Sequence, residues 1–301
     1  MDKTVTFLNG SGAIAIVKGK RIVKTVPIDV AVNCCHGVNG EDGCIAALCQ
    51  MSNIPLVGSG LLSSAVAMDK VATKRMLKSL GFPVVSGKQV TKGEQSLGKT
   101  LRGLRYPLIV KPATLGSSIG VEVAKDETQL QLALARAFRY DGTVLCEEAL
   151  TDFAELNCAA FRRGDKVETS TVDTPITAHE ILTFNDKYVD GGSFTRESQP
   201  IDEAVKAKVC KLTEQIYTKL NFSGVIRVDY LLDKTSGKLY VNEINTTPGS
   251  LAYGLWEYKY SRTQYGEALV EQAVADYREM QQRVFTFESG VLNANGGIKK
   301  K

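Results

Sequence analysis

The spacing of apolar and polar positions changes repeatedly along this chain of 301 residues, and each change marks an element. "TVTFLNG" reads as a short strand, and "GAIAIVKGKRIVKTV" as a hairpin-like pair of strands around Gly19. "VAVNCC" is an apolar strand that runs into a glycine-rich loop, "HGVNGEDG". "CIAALCQMSN" follows as a helix, and "IPLVGSG" as a strand and turn. This succession predicts a small α/β unit. Over "SSAVAMDKVATKRMLKSLGF" the pattern predicts a helix that begins near Ser63 or Ser64 and stops at Gly81. "YPLIVKPA" and "VEVAKD" form a hairpin whose tip, "TLGSSIG", is rich in glycine and serine. "DETQLQLALARAFRY" has the period of an amphipathic helix with a capping Asp or Thr.

Further along, "GTVLCEEAL" is a strand and "AELNCAAFRRGDKVETS" is two strands around Gly164. "TFNDKYVDGGSFTRESQP" is a long polar loop. A helix over "DEAVKAKVCKLTEQIYTKLN" precedes a hairpin, "GVIRVDYLLDKTSGKLYVNEIN", that turns at "DKTSGK". A last helix covers "YGEALVEQAVADYREMQQRV". The basic end, "NANGGIKKK", has the composition of a disordered tail.

The length allows two or three domains with sizeable cores. An apolar fraction of 44% and a charged fraction of 23% belong to a soluble globular protein. The net charge of +4 makes no case for a nucleic-acid partner. No apolar run reaches the length of a membrane span or a signal-peptide core. Seven scattered cysteines, with no CxxC pair, suggest reduced thiols and a cytoplasmic location. Cys34 and Cys35 are expected in or beside a buried strand, in a core role. Two histidines argue against a His-rich zinc site.

Four stretches carry candidate chemistry. In the last hairpin, alternate residues share a face, so Asp229, Glu243 and Asn245 can bring three oxygens together. Two carboxylates and an amide make a hard oxygen site that suits magnesium or manganese. Arg227 shares that face and could neutralise an anionic group beside the metal; a solvated face is the plainer alternative. In "VKPATLGSSIG", Lys111 precedes small residues, and Gly116, Ser117, Ser118 and Gly120 allow a close approach to polyphosphate. The order of lysine and glycines is not that of a Walker loop. In "VLCEEAL", Glu147 or Glu148 could accept from the exocyclic amine of a base, with backbone groups up to Leu150 contacting the ring. A charged strand end is the alternative there. "HGVNGEDG" surrounds His36, Glu41 and Asp42 with glycines, either as an anion-binding substrate loop or as a turn capped by Asp42.

Taken in order, "HGVNGEDG", "IPLVGSGLLSSAVAMDKVATK", "YPLIVKPATLGSSIGV", "DKY", "GVIRVDY" and "VNEINTTPG" resemble the signature stretches of the D-alanine–D-alanine ligase family of the ATP-grasp superfamily. The likeness covers roughly residues 33 to 255. It implies an α/β (α+β) ATP-grasp architecture: a small N-terminal α/β domain over residues 1–66, a central subdomain over 67–149, a C-terminal subdomain with the metal site over 150–289, and a disordered tail over 290–301.

The resemblance also implies a reaction in which ATP phosphorylates the carboxylate of a first amino acid. The amine of a second then attacks the acyl phosphate and leaves a peptide bond, as in cell-wall peptidoglycan precursors. Lys70 and Lys111 would hold the ATP phosphates, with Ser117 and Ser118 in the loop that covers them. Glu147 would meet the adenine amine, with Glu148 and Leu150 alongside, and Glu155 the ribose. Lys187 and Tyr188 match a loop that closes the site. Asp229, Glu243 and Asn245 would bind two magnesium or manganese ions, Arg227 would stabilise the oxyanion, and His36 would sit by the first amino acid. Two amino-acid substrates and a homodimer are implied with it.

The chain departs from the family in its amino-acid pockets. Its early loop, "LNGSGAIAIV", lacks the family's glutamate for the first ammonium, and Gly254 stands where a serine usually binds the second carboxylate. A ligase of another amino-acid pair, or a nucleotide-binding relative without catalysis, are therefore the alternatives.

Overall fold

The computed structural model describes residues 3–116, 118–175 and 201–284. Ser117, Lys187, Tyr188, the long polar loop and the basic tail lie outside the described residues.

β1 (Lys3–Leu8), β2 (Ala13–Lys18) and β3 (Arg21–Pro27) form an antiparallel sheet in that order. β4 (Ala31–Val32) and β5 (Leu56–Val57) pair in parallel, with α1 (Cys44–Met51) as their crossover. The expected strand "VAVNCC" is thus only two residues long, and Cys34 and Cys35 are exposed rather than in the core. The cause is Asn33. Its side-chain oxygen accepts from the Cys35 N–H at 3.0 Å and turns the chain out of the sheet.

The single helix expected from Ser63 to Gly81 is two helices, α2 (Leu61–Met68) and α3 (Lys70–Ser79). Asp69 breaks them. Its backbone is extended, and its carboxylate accepts from the N–H groups of Val71 (2.8 Å) and Ala72 (3.0 Å). An Asp competes with the helix backbone in this way wherever an N-terminus is available to cap. Gly81, at φ +81°, ends α3 as expected.

Two four-stranded antiparallel sheets follow. The first has the order β6-β9-β7-β8, built from β6 (Gly87–Thr91), β7 (Leu108–Pro112), β8 (Glu122–Ala124) and β9 (Thr143–Glu148). A short α4 (Leu97–Thr100) packs beside β6. α5 (Glu127–Ala137), capped by Asp126, lays Leu130, Ala133, Leu134 and Ala137 on this sheet. That is the i, i+3, i+4, i+7 stripe of an amphipathic helix, and each buried Leu contributes about 1.5–3 kcal/mol.

The second sheet has the order β11-β10-β12-β13, built from β10 (Phe153–Arg163), β11 (Lys166–Asp173), β12 (Val225–Asp233) and β13 (Leu239–Asn245). α6 (Glu203–Lys219) buries Val209, Ile216 and Tyr217 against one face. Beyond β13, a 3-10 stretch (Gly249–Leu255) leads to α7 (Arg262–Gln281), which opens with a Ser261–Gln264 capping box. Tyr265 of α7 packs with Phe161, Trp256 and Tyr260, and Phe161 lies edge-on to Trp256 at 4.9 Å. Ser250, Leu251 and Ala252 are left-handed, a costly backbone for residues with a Cβ. The Tyr265 hydroxyl, donating to the Leu251 carbonyl at 2.8 Å, helps hold them there.

β12 alternates over residues 226–230. Ile226, Val228 and Tyr230 enter the core, so Arg227 and Asp229 share the opposite face. β13 does not alternate cleanly. Leu239 and Val241 are buried, yet so is Ile244. The register explains it: Tyr230 pairs with Val241, but Asp229 pairs with Glu243, leaving Asn242 as an extra residue. This bulge turns Glu243 and Asn245 away from the core and onto the face of Arg227 and Asp229.

The N-terminal unit docks on β12 through backbone. Gly224, at φ +62°, lies so close to Gly58 that a Cβ there would fall 2.7 Å from its main chain. Among the described residues, no helix is long and apolar enough to cross a membrane.

Candidate active site

Three groups of side chains converge where α3, the two large sheets and the "HGVNGEDG" loop meet.

The first group lies on the second sheet. The Arg227 guanidinium grips Asp229 with two parallel bonds, Nε to Oδ1 at 2.6 Å and Nη2 to Oδ2 at 2.7 Å. Asn245 donates to Asp229 Oδ2 at 3.0 Å, and the Asn157 amide on β10 donates to Oδ1 at 2.9 Å. Burial disfavours charge on Arg227, but Asp229 outweighs it and raises the guanidinium pKa. Glu243 stands directly opposite Asp229 in the register. Its charge acts on Glu41, Lys70, Lys74, Lys111 and Arg227, which makes it the point where all three groups meet.

The second group surrounds Glu147, which β9 places in the interior with its side chain 3% exposed. Lys111 on β7 donates to Glu147 Oε2 at 2.8 Å and to Asn242 Oδ1 at 3.4 Å. Lys74 on α3 brings its ammonium to 2.8 Å from Oε1 and donates to the Val241 carbonyl at 3.3 Å. Each carboxylate oxygen of Glu147 thus has one ammonium at 2.8 Å, Lys74 at Oε1 and Lys111 at Oε2. Burial pushes the Glu147 carboxyl up, but the Lys111 and Lys74 ammoniums together outweigh it and hold it down to about 2. Lys70, one turn before Lys74, donates through Nζ to the Leu115 carbonyl at the hairpin tip. Burial lowers its pKa, and Glu243 opposes the shift.

The third group is the glycine-rich loop. Asn33 donates to the Gly40 carbonyl (2.9 Å) and to Thr247 Oγ1 (3.4 Å), and Thr246 Oγ1 donates to the Glu41 carbonyl (3.1 Å). These bonds tie the loop to the turn after β13. Asp42 accepts from the N–H groups of Asn39 (2.7 Å) and Cys44 (3.0 Å) and so shapes the entry to α1. Glu41 accepts from the Gly37 N–H at 3.1 Å and faces Gly116 of the hairpin tip. Burial raises its carboxyl pKa. His36 is exposed, within range of the Glu41 charge.

Of the residues expected from sequence, Lys70, Lys111, Glu147, Arg227, Asp229, Glu243 and Asn245 come together. Glu155, on β10, is near enough for its charge to act on both Lys111 and Arg227. Leu150 is half-buried just past the end of β9, and Ser118 sits at the tip with φ +56°. The Glu148 side chain does not join them. Strand alternation turns it outward, where Arg105 takes both of its oxygens at 3.3 Å.

Three residues of the site were not read as such from sequence: Lys74, Asn157 and Asn242. Lys74 carried a usable signal, since it lies four residues after Lys70 and therefore on the same helix face.

Asp229, Glu243 and Asn245 are hard oxygen donors around two directly opposed carboxylates, which fits a magnesium- or manganese-type cation. Among the described residues no cluster of three or more His, Cys, Asp or Glu side chains offers another metal site.

The family model described as "D-ala D-ala ligase C-terminus" matches residues 76–275. A D-alanine–D-alanine ligase of Thermosipho africanus is 34% identical over 278 residues, which is 90% of this chain and 75% of that one. One from a Thermoanaerobacter species is 39% identical over 241 residues, covering 77% of this chain and 66% of that one. This chain therefore spans two thirds to three quarters of the length of these relatives. Among solved structures, the D-alanine–D-alanine ligase of Coxiella burnetii superposes with a TM-score of 0.79 at 28% identity, covering 93% of this chain and 76% of that one. The Bacillus anthracis D-alanine–D-alanine ligase complexed with ATP gives 0.71 at 26% identity, covering 84% and 81%.

Proposed function

The chain belongs to the D-alanine–D-alanine ligase family, and from that premise we propose that it joins two amino acids, with D-alanine in both positions, by ATP-dependent peptide-bond formation. The first carboxylate attacks the γ-phosphate and ADP leaves. The amine of the second amino acid attacks the resulting acyl carbon, and phosphate departs from a tetrahedral intermediate.

The carrying observation is the convergence, around Glu243, of Lys70 on α3 and Lys111 on the first large sheet with an Arg–Asp pair on the second. Lys70 and Lys111 are assigned to the ATP phosphates. Glu147 is assigned to the adenine amine, with Leu150 and the backbone at Glu148 along the ring, and Glu155 to the ribose. Arg227 is assigned to the oxyanion. Asp229 holds its guanidinium in place before any substrate arrives, which is what such stabilisation needs, and losing a donor of this kind costs about 10²–10³ in kcat. His36 is assigned to the first amino acid, and Ser117, Ser118, Lys187 and Tyr188 to cover and closure. Asp229, Glu243 and Asn245 would hold two divalent ions, magnesium or manganese, which supply charge neutralisation at the phosphates when bound. Residues 67–149 and 150–289 are read as the two halves of the nucleotide cleft. We place the chain in the cytoplasm as a homodimer.

A second reading, a ligase of a different amino-acid pair, is favoured by Gly254 and by the early loop without an acid. Phosphate release from ATP and magnesium, run against single and paired D- and L-amino acids with mass spectrometry of products, separates the two. D-alanine alone giving a dipeptide is the expected result. Turnover only with another pair selects the second reading, and no turnover with any pair overturns both.

A further inference from the structure

Cys158 and Cys210 take no part in the chemistry above, yet the fold brings their sulfurs together. Cys158 lies in the middle of β10 and is fully buried, while Cys210 lies on α6 and is half-buried. Their Sγ atoms are 3.9 Å and 3.8 Å from the same oxygen, the Ser170 carbonyl of β11. Each thiol lies within electrostatic range of the other. The Ser170 hydroxyl reaches Cys158 Sγ at 3.9 Å, and Thr213 and Thr169 act electrostatically on Cys158 and Cys210 respectively.

Two packed thiols in a core are ordinarily inert small hydrophobes. This pair differs in its division of labour. The neighbouring Cys158 thiol, against the opposing effect of burial and with help from Thr169, lowers the Cys210 pKa to about 6. The half-buried sulfur is therefore the one that ionises at neutral pH, while its fully buried neighbour keeps its proton. A low-pKa thiolate with partial access and a resolving thiol beside it is the arrangement of a redox-modifiable site.

We propose that Cys158 and Cys210 form a reversible intrachain disulfide, with a peroxide as the two-electron oxidant. The Cys210 sulfur attacks one peroxide oxygen. The O–O bond breaks, and the departing oxygen leaves as water after taking a proton. The Cys158 sulfur then attacks the Cys210 sulfur, the S–O bond breaks, and a second water leaves with the Cys158 proton. Two thiols are oxidised by two electrons and one hydrogen peroxide is reduced to two waters. The bond links α6 to β10, one residue from Asn157, which donates to Asp229.

The test treats the whole folded chain with hydrogen peroxide at neutral pH, alkylates it, digests it and maps linked peptides by mass spectrometry. A Cys158–Cys210 peptide that disappears with dithiothreitol is the expected product. Cys34, Cys35 and Cys44 are exposed and report that oxidant was sufficient. In a Cys158→Ser variant, whose hydroxyl keeps a donor beside Cys210 but cannot resolve it, Cys210 should stop at sulfenic acid and be trapped by dimedone. Oxidation of the three exposed cysteines without the 158–210 link in the parent chain would overturn the proposal. So would a link that forms only after unfolding in urea, a result that needs no variant to fold.

Discussion

Lys74→Met keeps the length and apolar stem of the side chain and removes one charge from an enclosed triad. The ammonium sits 2.8 Å from Glu147 Oε1 and is 10% exposed at the side chain. Removing one partner of a buried ion pair costs about 3–5 kcal/mol, because the other charge is left without compensation. Here Lys111 remains 2.8 Å from the second oxygen, so roughly half that loss is expected, about 2 kcal/mol. In a chain of this size, that lowers Tm by about 4–8 °C.

The same substitution changes how stability depends on pH. Glu147 titrates from 4.5 in its ordinary state and near 2 when folded. A depressed folded pKa contributes stability above the unfolded value, and that stability is lost as pH falls from 4.5 towards 2. The shift corresponds to about 3 kcal/mol in the parent chain. Without Lys74 the folded pKa rises, so the variant loses less on acidification. The Tm gap between parent and variant should be widest above about pH 5 and close only as pH falls to about 2. Scanning calorimetry across that range reads both quantities. Equal melting points with parallel pH profiles would refute the charge accounting around Glu147.

Asp69→Ala removes the cap that separates α2 from α3. It should cost about 1 kcal/mol, read as a Tm drop of about 2–4 °C; an unchanged Tm would mean that tertiary packing alone starts α3. Leu48, Met51, Leu61 and Leu62 of α1 and α2 are exposed, with Leu62 at 78%, which supports the proposed homodimer. Light scattering should give twice the monomer mass, and Leu62→Glu should halve it; a monomeric parent chain refutes the dimer.

Strand and helix order was readable because most elements here are long and periodic. The last hairpin of Arg227, Asp229, Glu243 and Asn245 was read correctly as one face, and α5 was read with its cap. β6 was missed because "GKQVT" is five residues with little apolar pattern. The break at Asp69 was missed because the apolar period continues through it, while the capping bonds depend on the position of one carboxylate. Lys74, Asn157 and Asn242 act through neighbours distant in sequence: Glu147, Asp229 and Lys111. Nothing local to Asn157 or Asn242 announces such a partner. Cys34 and Cys35 were misplaced because apolar composition was followed past Asn33, whose own side chain had already ended the strand.

The extra residue at Asn242 makes β13 a strand whose rule for substitution reverses midway. Before it, odd-numbered positions answer to the core, as Leu239 and Val241 do; after it, the even-numbered Ile244 does, and odd numbers answer to chemistry. Packing and reactivity are thereby written in successive lengths of one strand rather than interleaved along all of it. The hydrophobic anchor at Leu239 and Val241 can drift among apolar residues without disturbing Glu243 or Asn245. A change in the number of residues between them would exchange the two roles at once. For this stretch of chain, count constrains variation more tightly than composition does.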